Sequence, residues 1–264
     1  MKITVSFNVA GDMEALFPAD WVAAEDMSVD MSFVPQKPGC FDESALEFGL
    51  RLAGAARAAG EDTVLRAVSV GGWERRRWMK TLYALGYDEC ILPNTAADLR
   101  FDPVGLSEIL AGIDAVKESD VILLGDKGSL GGSGQVGPLL AERLGLPFYG
   151  GISALAYDGK ELVVSAVSGD FVVTRSALPR AVLAIGNAPF SMLRVPTLKD
   201  RMKSAQRVIR EYDCDFMPDV TAAQLVSLEP ASANSSRGAL SVAGESAAER
   251  AAQILAHIRE AAQG

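Results

Sequence analysis

Residues 121–145 read VILLGDKGSLGGSGQVGPLLAERLG. Val121–Leu124 is apolar on both sides, as expected for a strand in the middle of a parallel sheet. A glycine-rich loop follows, and it leads into a helix, Leu139–Leu144, that ends at Gly145 and Pro147. In such a unit, glycines let the backbone approach a ligand, and free N–H groups at the helix start attract phosphate. Gly131, Gly132, Gly134 and Gly137 stand where that contact would form. No Gly-Lys-Ser/Thr closes the loop, so it is not a Walker A sequence, and it is not a GxGxxG turn after the first strand. Taken alone the loop is a weak signal, and a flexible surface loop is the competing reading.

The flanking sequence repeats the same strand–helix order. Lys2–Phe7, Thr63–Val70 and Glu89–Leu92 read as strands. Asp42–Ala58 reads as a helix with Asp42 as N-cap. Trp73–Leu85 reads as a second helix, and Asp102-Pro103 opens a third that runs to about Lys117. Residues 13–41 read as irregular. Strands alternating with helices predict an α/β fold: a doubly wound, mostly parallel, Rossmann-like sheet with right-handed crossovers. The pattern then changes. Ser153–Tyr157, Glu161–Val167 and Phe171–Ser176 predict an antiparallel extension, with Asp158-Gly159 as a turn. Ala181–Ile185 predicts one more core strand, and Thr197–Tyr212 a further helix. Residues 229–246 are small and polar and read as a linker. Glu245–Ala262 reads as an amphipathic helix, a C-terminal arm that packs on this domain or on a partner. The expected division is therefore a nucleotide-binding domain at 1–228 and a linker with terminal helix at 229–264.

In an open parallel sheet, ligands bind beyond the carboxyl ends of the strands, where the strand order reverses. Ser6-Phe7-Asn8, Gly39-Cys40-Phe41-Asp42 and Val70-Gly71-Gly72 are expected to meet the glycine loop there. Together they form a candidate adenosine-phosphate pocket. Trp73 and Trp78 could stack on a ring, although packing is the commoner role at a helix start.

Composition narrows the function. The 264 residues carry a net charge of −9, which argues against general nucleic-acid binding and against docking on anionic membranes. The three cysteines, Cys40, Cys90 and Cys214, are far apart and form no CxxC, so no metal site is expected and a cytoplasmic location fits. No membrane span or signal peptide is read. The one histidine, His257, lies in the terminal helix, which leaves no Ser-His-Asp or Cys-His arrangement. No catalytic residue is assigned. A stand-alone nucleotide-hydrolysing enzyme would need a phosphate-cleaving constellation that is not found, and a bare nucleotide sensor is the other alternative.

Several segments carry a family resemblance. They are 41–52 (FDESALEFGLRL), 67–72 (AVSVGG), 84–93 (ALGYDECILP), 121–147, LPRAVLAIGNAP from 178, and RVPTLKDRMKSAQR at 194–207. In that order they resemble the beta subunits of electron-transfer flavoproteins, nearest to the FixA-like branch linked to anaerobic acyl-CoA metabolism. The resemblance implies an electron carrier rather than an enzyme, paired with an alpha subunit that holds most of the electron-transferring FAD. It implies AMP or a second FAD in this chain, and the Gln-Val-Gly-Pro form favours FAD. By position, it implies cofactor contacts from Ser6, Phe7, Asn8, Gly39, Cys40, Phe41, Asp42, Val70 and Gly71. The loop would add Gly125, Asp126, Gly131, Gly132, Ser133, Gly134, Gln135, Val136, Gly137, Pro138 and Leu139. It further implies that Pro196, Thr197 and Leu198 dock an acyl-CoA dehydrogenase-type redox partner, with Leu198 as the apolar anchor.

Overall fold

The computed structural model describes residues 1–264 except 23–28, 129–131, 179, 187, 190–191, 216–225, 228–241, 245 and 262–264. The elements run β1 (Lys2–Ser6), β2 (Val9–Gly11), β3 (Gln36–Pro38), α1 (Cys40–Ala58), β4 (Val64–Val68) and α2 (Arg76–Leu85). They continue with β5 (Glu89–Asn94), α3 (Pro103–Gly112), α4 (Asp114–Lys117), β6 (Val121–Gly125) and α5 (Val136–Leu144). The remainder are β7 (Phe148–Tyr157), β8 (Leu162–Ser168), β9 (Phe171–Ala177), β10 (Ala181–Ile185), α6 (Leu198–Ser204), β11 (Arg210–Asp213) and α7 (Ala247–Ala261).

One sheet has the order β11-β5-β4-β1-β6-β10-β7-β8-β9. Every neighbouring pair from β11 to β7 is parallel, and the pairs β7–β8 and β8–β9 are antiparallel. This is the expected doubly wound sheet with an antiparallel extension. Both faces of the parallel part are covered, as its unbroken apolar strands require. Successive residues of β6 point to opposite faces. Val121 and Leu123 therefore join one core with α1 and α2 residues such as Leu46, Leu52 and Met79. Ile122 and Leu124 join another with Leu110 and Leu140, from α3 and α5.

Several elements differ from the sequence reading. The segment 13–41 is not wholly irregular: β3 pairs antiparallel with β2, with Val9 opposite Pro38 and Gly11 opposite Gln36. α1 begins two residues early. Its N-cap is Gly39, whose extended backbone (φ −64°, ψ 159°) ends the preceding chain, so Asp42 lies inside the first turn rather than capping it. Trp73–Arg75 is a 3-10 turn ahead of α2. The helix expected to reach Lys117 breaks at Ile113, which takes extended angles (φ −79°, ψ 121°) directly after Gly112. α5 starts at Val136, and β7 starts at Phe148, where it pairs parallel with β10.

The largest difference falls on Thr197–Tyr212. Only Leu198–Ser204 is helical, and Arg210–Asp213 is an edge strand on β5. Pairing with the open edge of β5 satisfies backbone groups that a helix would otherwise have satisfied internally.

The chain divides into two compact units, residues 1–227 and 228–264. In the second, Ser246 Oγ accepts from Glu249 N at 3.2 Å at the start of α7. Of the linker reading, 229–241 and 245 lie outside the described residues.

Candidate functional site

The strand order reverses between β1 and β6: from β1 the chain passes to β4 on one side, and from β6 it passes to β7 on the other, with β10 later filling the place between β6 and β7. A cavity of about 860 Å³ opens beyond the carboxyl ends of these strands. That is the position that sheet topology assigns to a ligand crevice. The volume lies toward the upper end of the roughly 300–1,000 Å³ typical of small-molecule pockets.

The glycine loop forms one wall. Asp126 N donates to Ile185 O at 2.8 Å, which ties the loop start to β10. Gly134 has a φ of +67°, and a Cβ there would lie 3.2 Å from Asp126 O. Only glycine takes that backbone without strain while keeping the loop folded on itself. A Cβ at Gly125 would lie 3.0 Å from both Asp42 N and Asp42 Oδ1, so the close contact between the end of β6 and α1 also depends on a missing side chain. Gln135, the N-cap of α5, makes no side-chain cap. Gln135 N donates to Ser133 Oγ at 3.3 Å and Pro138 has no N–H, so the first-turn amides that can meet an outside acceptor are those of Val136 and Gly137.

Among the described residues, three buried side-chain polar atoms have no partner: Asp42 Oδ2, Ser69 Oγ and Arg75 Nε. Asp42 and Arg75 line the cavity, and Ser69 directly precedes the lining residue Val70. Buried polar groups are rarely left unsatisfied, so their concentration here fits a polar ligand. Burial pushes the Asp42 carboxyl up to about 7, against the opposing effect of backbone N–H groups of Asn8, Gly39 and Gly125. Burial lowers the Arg75 guanidinium, and the adjacent Glu74 carboxylate works against that.

Ser6, Phe7, Asn8, Asp42, Val70 and Gly71 line the cavity. From the loop, Gly125, Asp126, Gly132, Ser133, Gly134, Gln135, Val136 and Gly137 do so as well. Gly39, Cys40, Phe41, Pro138 and Leu139 are not among its lining residues. Gly131 lies outside the described residues. Trp73 is 73% exposed and does not line the cavity. Trp78 packs instead, its indole Nε1 donating to Gln36 O at 2.9 Å.

Sequence reasoning missed Glu74 and Arg75, and it missed the loop between β5 and α3, from which Thr95, Asp98, Arg100, Phe101 and Asp102 reach the cavity. The available signal for that loop was its position after a parallel strand at the same end of the sheet.

Pro196, Thr197 and Leu198 stand at the start of α6, apart from the cavity lining. Thr197 caps α6: its Oγ1 accepts from Asp200 N at 3.2 Å, and Asp200 Oδ2 accepts from Thr197 N at 3.1 Å. Leu198 is 75% exposed, beside the exposed Val195 and Met202. The preceding residues are fastened to α1. Leu193 N donates to Glu43 Oε2 at 3.3 Å, and Arg194 Nε to Glu47 Oε2 at 2.9 Å. Glu47 is buried and also accepts from Arg51 Nε at 3.0 Å. Burial acts to raise the Glu47 carboxyl, but hydrogen bonds from Arg194 and Arg51 outweigh it and hold it below the usual range.

Among the described residues, no cluster of His, Cys, Asp and Glu could hold a metal ion. No helix among them is long and apolar enough to cross a membrane.

Residues 30–216 match the electron transfer flavoprotein domain family. The provisionally named electron transfer flavoprotein subunit YgcR of Escherichia coli is 30% identical over 258 residues, 96% of each chain. The electron transfer flavoprotein subunit beta of Bacillus subtilis is 33% identical over 177 residues, 66% of each chain. That of Syntrophomonas wolfei is 28% identical over 219 residues, 79% of this chain and 78% of the relative. With a doubly wound sheet, a glycine-loop cavity at its reversal point and these relatives, the chain belongs to the electron transfer flavoprotein family, among its beta subunits.

Proposed function

We propose that this chain is one half of a heterodimeric electron carrier. It binds an adenine nucleotide in the cavity, pairs with an alpha subunit that holds FAD, and exchanges electrons with an acyl-CoA dehydrogenase-type partner. The observation that carries the reading is the meeting of an uncapped α5 N-terminus, a glycine cradle and orphaned polar atoms in one cavity. Such a helix start receives a phosphate through its free N–H groups and its dipole. Bound FAD supplies the redox chemistry, and the protein supplies position and electrostatics. Gly134 lets backbone stand against the phosphate, and Gly125 keeps the end of β6 close to α1. Val136 and Gly137 present the first-turn amides of α5.

The nucleotide is AMP or FAD, and the cavity volume favours the larger. The exposed patch at Val195, Leu198 and Met202 serves the redox partner, since clustered apolar surface of this kind marks interaction sites. The terminal helix α7, with Ile254, Leu255 and Ile258 on it, packs on a partner chain.

Mass spectrometry of nucleotide released from the purified full chain, with a visible spectrum of its complex with the alpha subunit, tests the reading. Stoichiometric AMP or FAD in this chain and flavin absorbance in the complex are expected. A colourless complex without nucleotide, or a chain that turns over ATP alone, overturns it.

A further inference from the structure

The cavity wall at the ends of β1 and β4 holds a cation with incomplete bonding. Arg75 ends the 3-10 turn after Gly72, and its guanidinium fills the space that a side chain at Gly71 would take. Its side chain is 14% exposed. Nη2 donates to Asn8 Oδ1 at 3.2 Å, Nη1 pairs with Glu74, and Nε has no partner. A guanidinium offers five N–H donors in a planar fork and accepts nothing. What completes it is therefore an acceptor: an anion, or a carbonyl or hydroxyl oxygen. Glu74, the neighbouring residue, is 33% exposed and can turn to solvent without moving the backbone. The other arginine on this wall, Arg100, is paired with Asp98 at 2.7 Å. Arg75 lies beside β4 and β1, whereas α5 follows β6. The guanidinium itself reaches Asn8 just past β1, one strand spacing, on the order of 5 Å, from β6. Arg75 and the start of α5 both line the cavity, so a phosphate at the helix start and an acceptor at Arg75 are separate contacts on one ligand.

We propose that Arg75 is the specificity residue for the second half of a dinucleotide: it exchanges Glu74 for a carbonyl or anionic group of the ligand while α5 holds a phosphate. This rests on the nucleotide reading above. It predicts that the residue distinguishes FAD from AMP, because a mononucleotide leaves the second position empty.

Isothermal titration of the nucleotide-free full chain with AMP and with FAD tests it. Arg75→Gln is expected to weaken FAD at least tenfold, roughly the worth of a charge-assisted hydrogen bond, and to leave AMP within about twofold. Glu74→Gln frees the guanidinium and is expected to tighten FAD about threefold, with AMP unchanged. A gain of this kind is not produced by misfolding. Equal effects on AMP and FAD in Arg75→Gln, or no tightening in Glu74→Gln, overturn the role of Arg75 and leave the pocket standing. If the wild-type chain binds neither nucleotide, the pocket reading fails and the role of Arg75 fails with it.

Discussion

Asp42 is a carboxyl group that the fold buries beside the cavity, with one oxygen unpaired and its pKa pushed from 3.8 to about 7. Between those values the folded chain keeps a proton that the unfolded chain has released. Stability from this group is therefore lost as pH rises from about 4 to about 7. Asp42→Asn removes that dependence. Urea unfolding of the nucleotide-free chain should show the variant gaining on wild type across this window by about 1–4 kcal/mol. Parallel pH curves for the two proteins would count against it. Gly134 gives a second test at this scale. Gly134→Glu meets both a left-handed backbone and Asp126 O, and a nonglycine residue there costs about 1–2 kcal/mol. Loss of bound nucleotide with unchanged circular dichroism is expected, and retained stoichiometric nucleotide would refute the cradle.

Among the elements, α1 connects two surfaces. Its first turn carries Asp42 at the cavity, and Glu43 and Glu47 hold the segment that precedes Leu198. Glu47→Ala removes the shared acceptor of Arg51 and Arg194. Both arginines are 53% exposed, so water takes over much of their hydrogen bonding, and the loss of stability should be about 1–2 kcal/mol, measurable by urea denaturation. Leu198→Ala touches neither the cavity nor this anchor. It should slow electron transfer to the dehydrogenase in a coupled assay while nucleotide content stays stoichiometric. Normal transfer with lost nucleotide would reverse the assignment. At this scale the sequence was legible where signals are local. The strands β1, β4, β5, β6 and β10 were readable from apolar runs. The α3–α4 break at Ile113 was not, because both sides of it keep the same apolar spacing. β11 was hidden because Thr197–Tyr212 read as one helix, and only pairing with β5 shows that its end is a strand.

For the whole molecule, stability rests on a sheet covered on both faces. Leu123, fully buried in β6 between β1 and β10, is at its centre. Leu123→Ala should cost about 2–5 kcal/mol in urea denaturation, the range for a cavity that its surroundings cannot fill. A loss below about 1 kcal/mol would mean that the sheet repacks at this point.

The sequence by itself determined the alternation of strands and helices, the glycine loop with the helix that follows it, and the family, because period, turn chemistry and motif order act over a few residues. Tertiary structure decided the rest. The strand order, and with it the reversal between β1 and β6, came from pairings between segments more than a hundred residues apart, such as Ile3 with Val121. The same distant pairings added β11 to the edge of the sheet and brought the β5–α3 loop to the cavity. They also placed Arg75 and Asp42 there with unpaired atoms. Burial and hydrogen-bond satisfaction belong to the assembled chain, so no local pattern announces a buried donor that lacks its acceptor.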